Sequence, residues 1–76
     1  MYRVDFTVEG SGEFPDDMLR YDRCYPAEQE DIFWMNGKGK RSVRMSMIAK
    51  YKNAKPTIAR WNSFGWSVDL IKEMKI

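Results

Sequence analysis

The chain has 76 residues, no histidine, one cysteine and a net charge of +2. At this length we expect a single domain, residues 1–76. The composition excludes histidine-dependent acid–base catalysis, an internal disulfide and a cysteine-rich zinc site. We therefore expect no catalytic residue, no metal and no cofactor, and we expect a protein that acts by binding rather than as an enzyme.

The same composition bears on location and stability. The N-terminal segment MYRVDFTVEG has no apolar stretch of the signal-peptide type, and the longest apolar run, 32–35, is far shorter than the roughly 20 residues of a membrane helix. A small secreted domain usually carries several disulfides, so a lone Cys24 predicts a cytoplasmic protein. Three Trp, four Tyr and four Phe supply a core despite the short chain.

The first predicted element is a strand. Residues 2–9 alternate between apolar and polar side chains, with Tyr2, Val4, Phe6 and Val8 on one face, as expected of a half-buried strand. The segment GSGEFP (10–15) ends it. Residues 15–22 then predict one or two helical turns, because proline and aspartate are favoured in the first turn of a helix.

Two structures compete for residues 26–36. Pro26, the acidic residues after it and the Asn36-Gly37 pair favour a helix with a defined start and end. The alternative is a hairpin in which DIFWM and RSVRM form strands around NGKGK. We expect the helix.

The C-terminal half predicts a strand, a helix and a strand. Residues 42–51 alternate, with Val43, Met45 and Met47 on the apolar face. Residues 56–64 predict a short helix ended by Gly65 in a left-handed conformation, and residues 66–71 alternate again. The expected fold is α+β: a small three-stranded sheet with two short helices on one face, in β-α-β-α-β order.

Charge is distributed unevenly along the chain. Residues 1–31 carry nine acids and three bases, whereas residues 32–76 carry two acids and ten bases, and no acid lies between Ile32 and Val68. The even positions of the second strand and the basic turn 38–41 predict a binding face. Its candidate residues are Arg44, Lys40, Arg41, Lys50 and Ser46.

Three interpretations of this basic segment remain open. The face binds a protein partner through one charged surface; or residues 32–68 form a nucleic-acid-binding module, with basic residues on phosphates and aromatic rings on bases; or the charges are neutralised within the sheet. In the last case Asp5 and Glu9 of the first strand would lie opposite Arg44 and Lys50. We expect a protein partner.

Two segments carry a resemblance. FPDDMLRYDRCYPA (14–27) and ARWNSFGWSV (59–68) resemble segments of short accessory proteins of tailed phages and prophages. The resemblance implies a protein of the bacterial host cytoplasm that acts stoichiometrically on host transcription, defence or nuclease machinery. It assigns no role to any residue.

Overall fold

The computed structural model describes residues 1–26, 32–35 and 40–76. The strands are β1 (Tyr2–Ser11), β2 (Tyr25–Pro26), β3 (Ile32–Met35), β4 (Lys40–Ala49) and β5 (Ser67–Lys75). The helices are α1 (Asp17–Tyr21) and α2 (Lys55–Ser63), and a 3₁₀ turn at Lys52–Ala54 joins β4 to α2.

The strands form one antiparallel sheet. The central strand β1 pairs with β4 on one side and with β5 on the other. The far edge of β4 is shared, because β3 pairs with its first half and β2 with Met45 and Ser46. The order across the sheet is β2-β4-β1-β5, with β3 beside β2 on the same edge of β4. In the described part of the chain, β5 therefore lies at the opposite edge.

The predicted α+β class is confirmed, but the three-stranded β-α-β-α-β arrangement is wrong. Strands at 2–9, 42–51 and 66–71 and helices at 15–22 and 56–64 are found near the predicted bounds. The helix predicted at 26–36 is wrong where the chain is described, since Ile32–Met35 pairs with β4. Residues 27–31 and 36–39, which include the predicted helix end, lie outside the described residues.

The error at 32–35 has a physical cause. Pro26 and the acids after it favour a helix start, but these are weak local preferences. The segment IFWM combines a β-branched residue with two aromatic residues, which favour strands. Pairing with Lys40–Val43 gives its backbone an antiparallel neighbour, and such tertiary pairing decides between competing local propensities.

One face of the sheet holds the core. Val4, Phe6 and Val8 of β1 are buried and lie opposite Met47, Met45 and Val43 of β4. The two helices close this face, since Met18 of α1 and Trp61 of α2 belong to the same buried cluster. The apolar side chains of the alternating strands β1 and β4 thus form a single layer that is covered by both helices.

Three aromatic rings complete the core at one end. The ring centroid of Phe14 lies 5.6 Å from that of Trp61 and 5.4 Å from that of Trp66, and the two tryptophan rings are 5.9 Å apart. Trp61 and Trp66 are almost fully buried, so both are core residues.

The end of α2 is a Schellman motif. Gly65 has a φ of +82°, which confirms the predicted left-handed conformation. Its N–H donates to the carbonyl of Asn62 (3.0 Å), and the N–H of Trp66 donates to the carbonyl of Trp61 (3.1 Å). This turn directs the chain from α2 into the buried Trp66 and onward to β5.

Gly65→Ala should lower the free energy of unfolding by about 1 kcal/mol. A Cβ at this position would meet nothing within 4 Å, so the cost comes from the backbone conformation alone. Gly65→Asn is the matched control, because asparagine tolerates the left-handed region and should lose less stability. Chemical denaturation measures both; equal losses for Ala and Asn would contradict this explanation.

Candidate partner-binding face

The side of the sheet opposite the core is covered by neither described helix. We call it the outer face. It is formed by the odd residues of β1, the even residues of β4 and the residues of β5 that lie opposite that part of β1. Its members are Arg3, Asp5, Thr7, Glu9, Tyr25, Lys40, Ser42, Arg44, Ser46, Ile48, Ser67, Asp69, Lys72 and Met74.

Arg44 lies near the middle of the outer face and is exposed. It is opposite Thr7 of β1, which in turn is opposite Asp69 of β5. Among the described residues no ion pair is formed by Arg44. A strand therefore holds a guanidinium group in solvent, with its planar set of donors open to a carboxylate or phosphate of a partner.

The five predicted site residues do not all share this face. Lys40, Arg44 and Ser46 lie on the outer face. Arg41 has the opposite parity and lies on the core side, where its guanidinium carbon is 5.2 Å from the centroid of the Phe14 ring. Lys50 follows the last residue of β4 and lies 5.6 Å from the ring centroid of its neighbour Tyr51.

Arg41 therefore does not lie on the same face of the sheet as Lys40 and Arg44. Successive side chains of a strand point to opposite sides, and β4 begins at Lys40 rather than at Ser42. Arg41 covers an aromatic ring of the core while Lys40 faces outward. Positions 38 and 39 of the predicted basic turn lie outside the described residues.

Beside Arg44 the outer face becomes apolar. A groove of about 240 Å³ is lined by Arg3, Tyr25, Ser46, Met47 and Ile48. The side chains of Tyr25 and Ile48 are 63% and 49% exposed, which is high for large hydrophobic residues. Exposed apolar residues that lie together are typical of binding surfaces.

This groove was not predicted from the sequence, although one signal for it was present. Ile48 is the single large apolar residue among the outward positions of β4, which otherwise carry Lys40, Ser42, Arg44 and Ser46. Tyr25 had no such signal, because it reaches the groove only through the pairing of β2 with Ser46.

The fold brings the acidic and basic halves of the chain together. Oε1 of Glu9 forms an ion pair with Nζ of Lys40 at 3.8 Å, and Oδ1 of Asp22 forms one with Nη1 of Arg60 at 2.9 Å. The predicted partners differ, because Asp5 lies opposite Ser46 and is 3.8 Å from Arg3. Two ion pairs thus join the acidic and basic halves of the chain, and neither is one of the predicted pairs.

Cys24 is a core residue. Its thiol is fully buried, with Sγ 3.9 Å from Sδ of Met47. Burial, together with the nearby charge of Asp22, raises the pKa of the thiol to about 12, outweighing the opposing effects of Trp61 and Arg60. Such a thiol is not a nucleophile at neutral pH.

Asp22 is the most buried carboxylate of the ion pairs above. Its side chain is 8% exposed. Burial raises its pKa above the ordinary value, and the charge of Arg60 partly offsets that shift. Within residues 1–26, 32–35 and 40–76, no group of three or more acidic or cysteine side chains is arranged to hold a metal ion.

Comparison of the chain with protein-family models, with curated proteins and with solved structures finds no match. None of the helices in the described part of the chain is long and apolar enough to cross a membrane.

Proposed function

We propose that this protein acts without catalysis, by stoichiometric binding of its outer face to a protein partner. The observation that carries the proposal is the exposed Arg44, which forms no ion pair with any described residue, beside the apolar groove of Tyr25 and Ile48. The resemblance to phage accessory proteins suggests that the partner is a protein of the bacterial host cell.

The chemistry of this patch favours a protein partner. Arginine and tyrosine are enriched among the residues that dominate binding energy, and they act best beside apolar contacts that exclude water. Arg44, Tyr25 and Ile48 offer this combination on paired strands, so little side-chain and backbone freedom is lost on binding. An acidic or hydroxyl-bearing residue next to an apolar side chain on the partner would fit this patch.

The alternative is a nucleic-acid-binding module based on residues 32–68. Tyr51 favours it, since this residue is 55% exposed and its ring lies beside Lys50. Other features weigh against it: Trp61 and Trp66 are buried and cannot stack on bases, and Lys40 and Arg60 already contact carboxylates.

The partner can be captured from bacterial lysate with the folded protein as bait, with and without nuclease. Affinity is then measured over a salt series. A mostly apolar protein interface should lose little affinity between low and moderate salt, whereas binding to phosphates should weaken by orders of magnitude. Capture that disappears with nuclease, together with a steep salt dependence, would favour the alternative.

Arg44→Ala should reduce affinity for the captured partner by about 30-fold, equivalent to roughly 2 kcal/mol. Its melting temperature should stay near that of the unmodified protein, because Arg44 is exposed and makes no described ion pair. Lys55→Ala is the matched control: it removes one exposed positive charge from α2, on the other side of the sheet, and should leave affinity unchanged. Equal effects of the two substitutions would contradict a role for the outer face.

A further inference from the structure

Strand β5 forms an unusually open edge of the sheet. It has nine residues, one side of it pairs with β1, and no described strand pairs with the other side. It carries several exposed apolar side chains: Leu70 (39%), Ile71 (51%) and Met74 (48%). An edge strand of this length and character offers unpaired backbone donors and acceptors to another strand.

We propose that two copies of this protein pair through their β5 edges, antiparallel, with Asp69 of each copy opposite Lys72 of the other. The two-fold axis of such a dimer makes both contacts identical. The dimer then contains two opposite-charge pairs, one on each side of the axis. Between them, Leu70 of each copy lies opposite Ile71 of the other.

The irregularity in β5 makes this register possible. Asp69 lies opposite Thr7, and Lys72 lies opposite Asp5, so both belong to the outer face although they are three residues apart. Between these positions the pairing register with β1 shifts by one residue. Leu70 is opposite Phe6, Lys72 is opposite Asp5, and Ile71 is an extra residue with no partner in β1. Without that extra residue, Asp69 and Lys72 would point to opposite faces and could not meet across a two-fold axis.

One of the two neighbouring registers is unfavourable because of charge. Shifting the second copy by one residue places Asp69 opposite Glu73 in both halves of the dimer. Like charges directly opposite each other destabilise a strand pair, and opposite charges stabilise it. Asp69 and Glu73 would also come from different faces, because Glu73 lies opposite the core residue Val4. The charges on β5 therefore favour the register with Asp69 opposite Lys72 over this shifted one.

Lysine on an edge strand normally prevents pairing with other strands. In β5, Lys72 lies three residues from Asp69. Lys72 therefore disfavours pairing with strands that offer no acidic residue opposite it, but a second copy of β5 offers Asp69 at that position. The dimer would continue the sheet across the axis and place the two outer faces side by side. This inference is independent of what the outer face binds.

The test uses sedimentation velocity over a concentration series, with Asp69→Lys and Lys72→Asp made separately. The unmodified protein should dimerise. Each variant alone should dimerise at least about tenfold more weakly, because the symmetry converts two opposite-charge pairs into two like-charge pairs. Mixed in equal amounts, the two variants should form a heterodimer about as strong as the original dimer, since every pair is again of opposite charge.

Lys55→Asp is the control for the change in charge, since it lies on α2 and should leave dimerisation unchanged. Circular dichroism checks that each variant is folded, and the doubly exchanged chain Asp69→Lys/Lys72→Asp should recover dimerisation within about threefold. An unmodified protein that stays monomeric up to millimolar concentration overturns the proposal. So does a dimer that neither single substitution weakens, or a mixture of the variants that fails to associate.

Discussion

Trp61→Ala should lower the free energy of unfolding by about 3–5 kcal/mol, which is most of the stability of a domain this small. Trp61 is fully buried, and its ring contacts those of Phe14 and Trp66. Removing the indole leaves a cavity between α2 and the sheet. Thermal and urea denaturation measure the loss.

Phe64→Ala is the matched control for this prediction. Phe64 is three residues further along the same segment but 56% exposed, so its truncation should cost less than about 1 kcal/mol. If Trp61→Ala melts near the temperature of the unmodified protein, α2 does not pack on the sheet as described here.

Gly10→Ala should destabilise the protein by about 1–3 kcal/mol or more, although the change adds only one methyl group. A Cβ at Gly10 would lie 2.3 Å from Cδ2 of Trp66, a distance at which one of the two must move. Trp66 has little room to do so, because its ring is buried and is 5.4 Å from that of Phe14.

A double-mutant cycle separates this contact from a general effect on β1. Trp66→Leu removes the aromatic ring that the new methyl group would strike. Gly10→Ala should therefore cost at least about 1 kcal/mol less in the Trp66→Leu background than alone, since residues in contact are not additive. Additive losses would show that the cost at Gly10 does not arise from its contact with Trp66.

Much of this fold could be predicted from the sequence, because several of its elements depend only on residues that are close together in the chain. In β1 and the second half of β4 the period of two sorts side chains between core and solvent, and both strands are found where the alternation lies. Gly65 was predictable because ending a helix in this way requires a left-handed residue. These features depend on neighbours in the sequence.

The errors arose where residues far apart in the sequence determine the local conformation. Gly10 reads as the start of a turn, yet β1 continues to Ser11 because the missing side chain admits the ring of Trp66. Residues 32–35 adopt a strand because β4 offers them an edge. Both outcomes depend on contacts between residues far apart in the sequence, which a local pattern does not contain.

The candidate site also contains residues that local alternation could place and residues that only long-range contacts could place. Parity placed Arg44 and Ser46 on the exposed side of β4, and the structure has them there. Grouping residues by charge alone misplaced Arg41, which lies over Phe14 on the core side. Tyr25 could not be found in advance, because the groove forms only when β2 pairs with the end of β4.

The most direct test of the outer face as the binding surface is nuclear magnetic resonance titration of the labelled protein with its captured partner. We expect the largest shifts at Arg44, Ser46, Ile48 and Tyr25, with Lys55 and Asn62 of α2 nearly unchanged. Shifts concentrated on α2, with β4 unaffected, would contradict this expectation and place the binding surface on the helical side of the sheet.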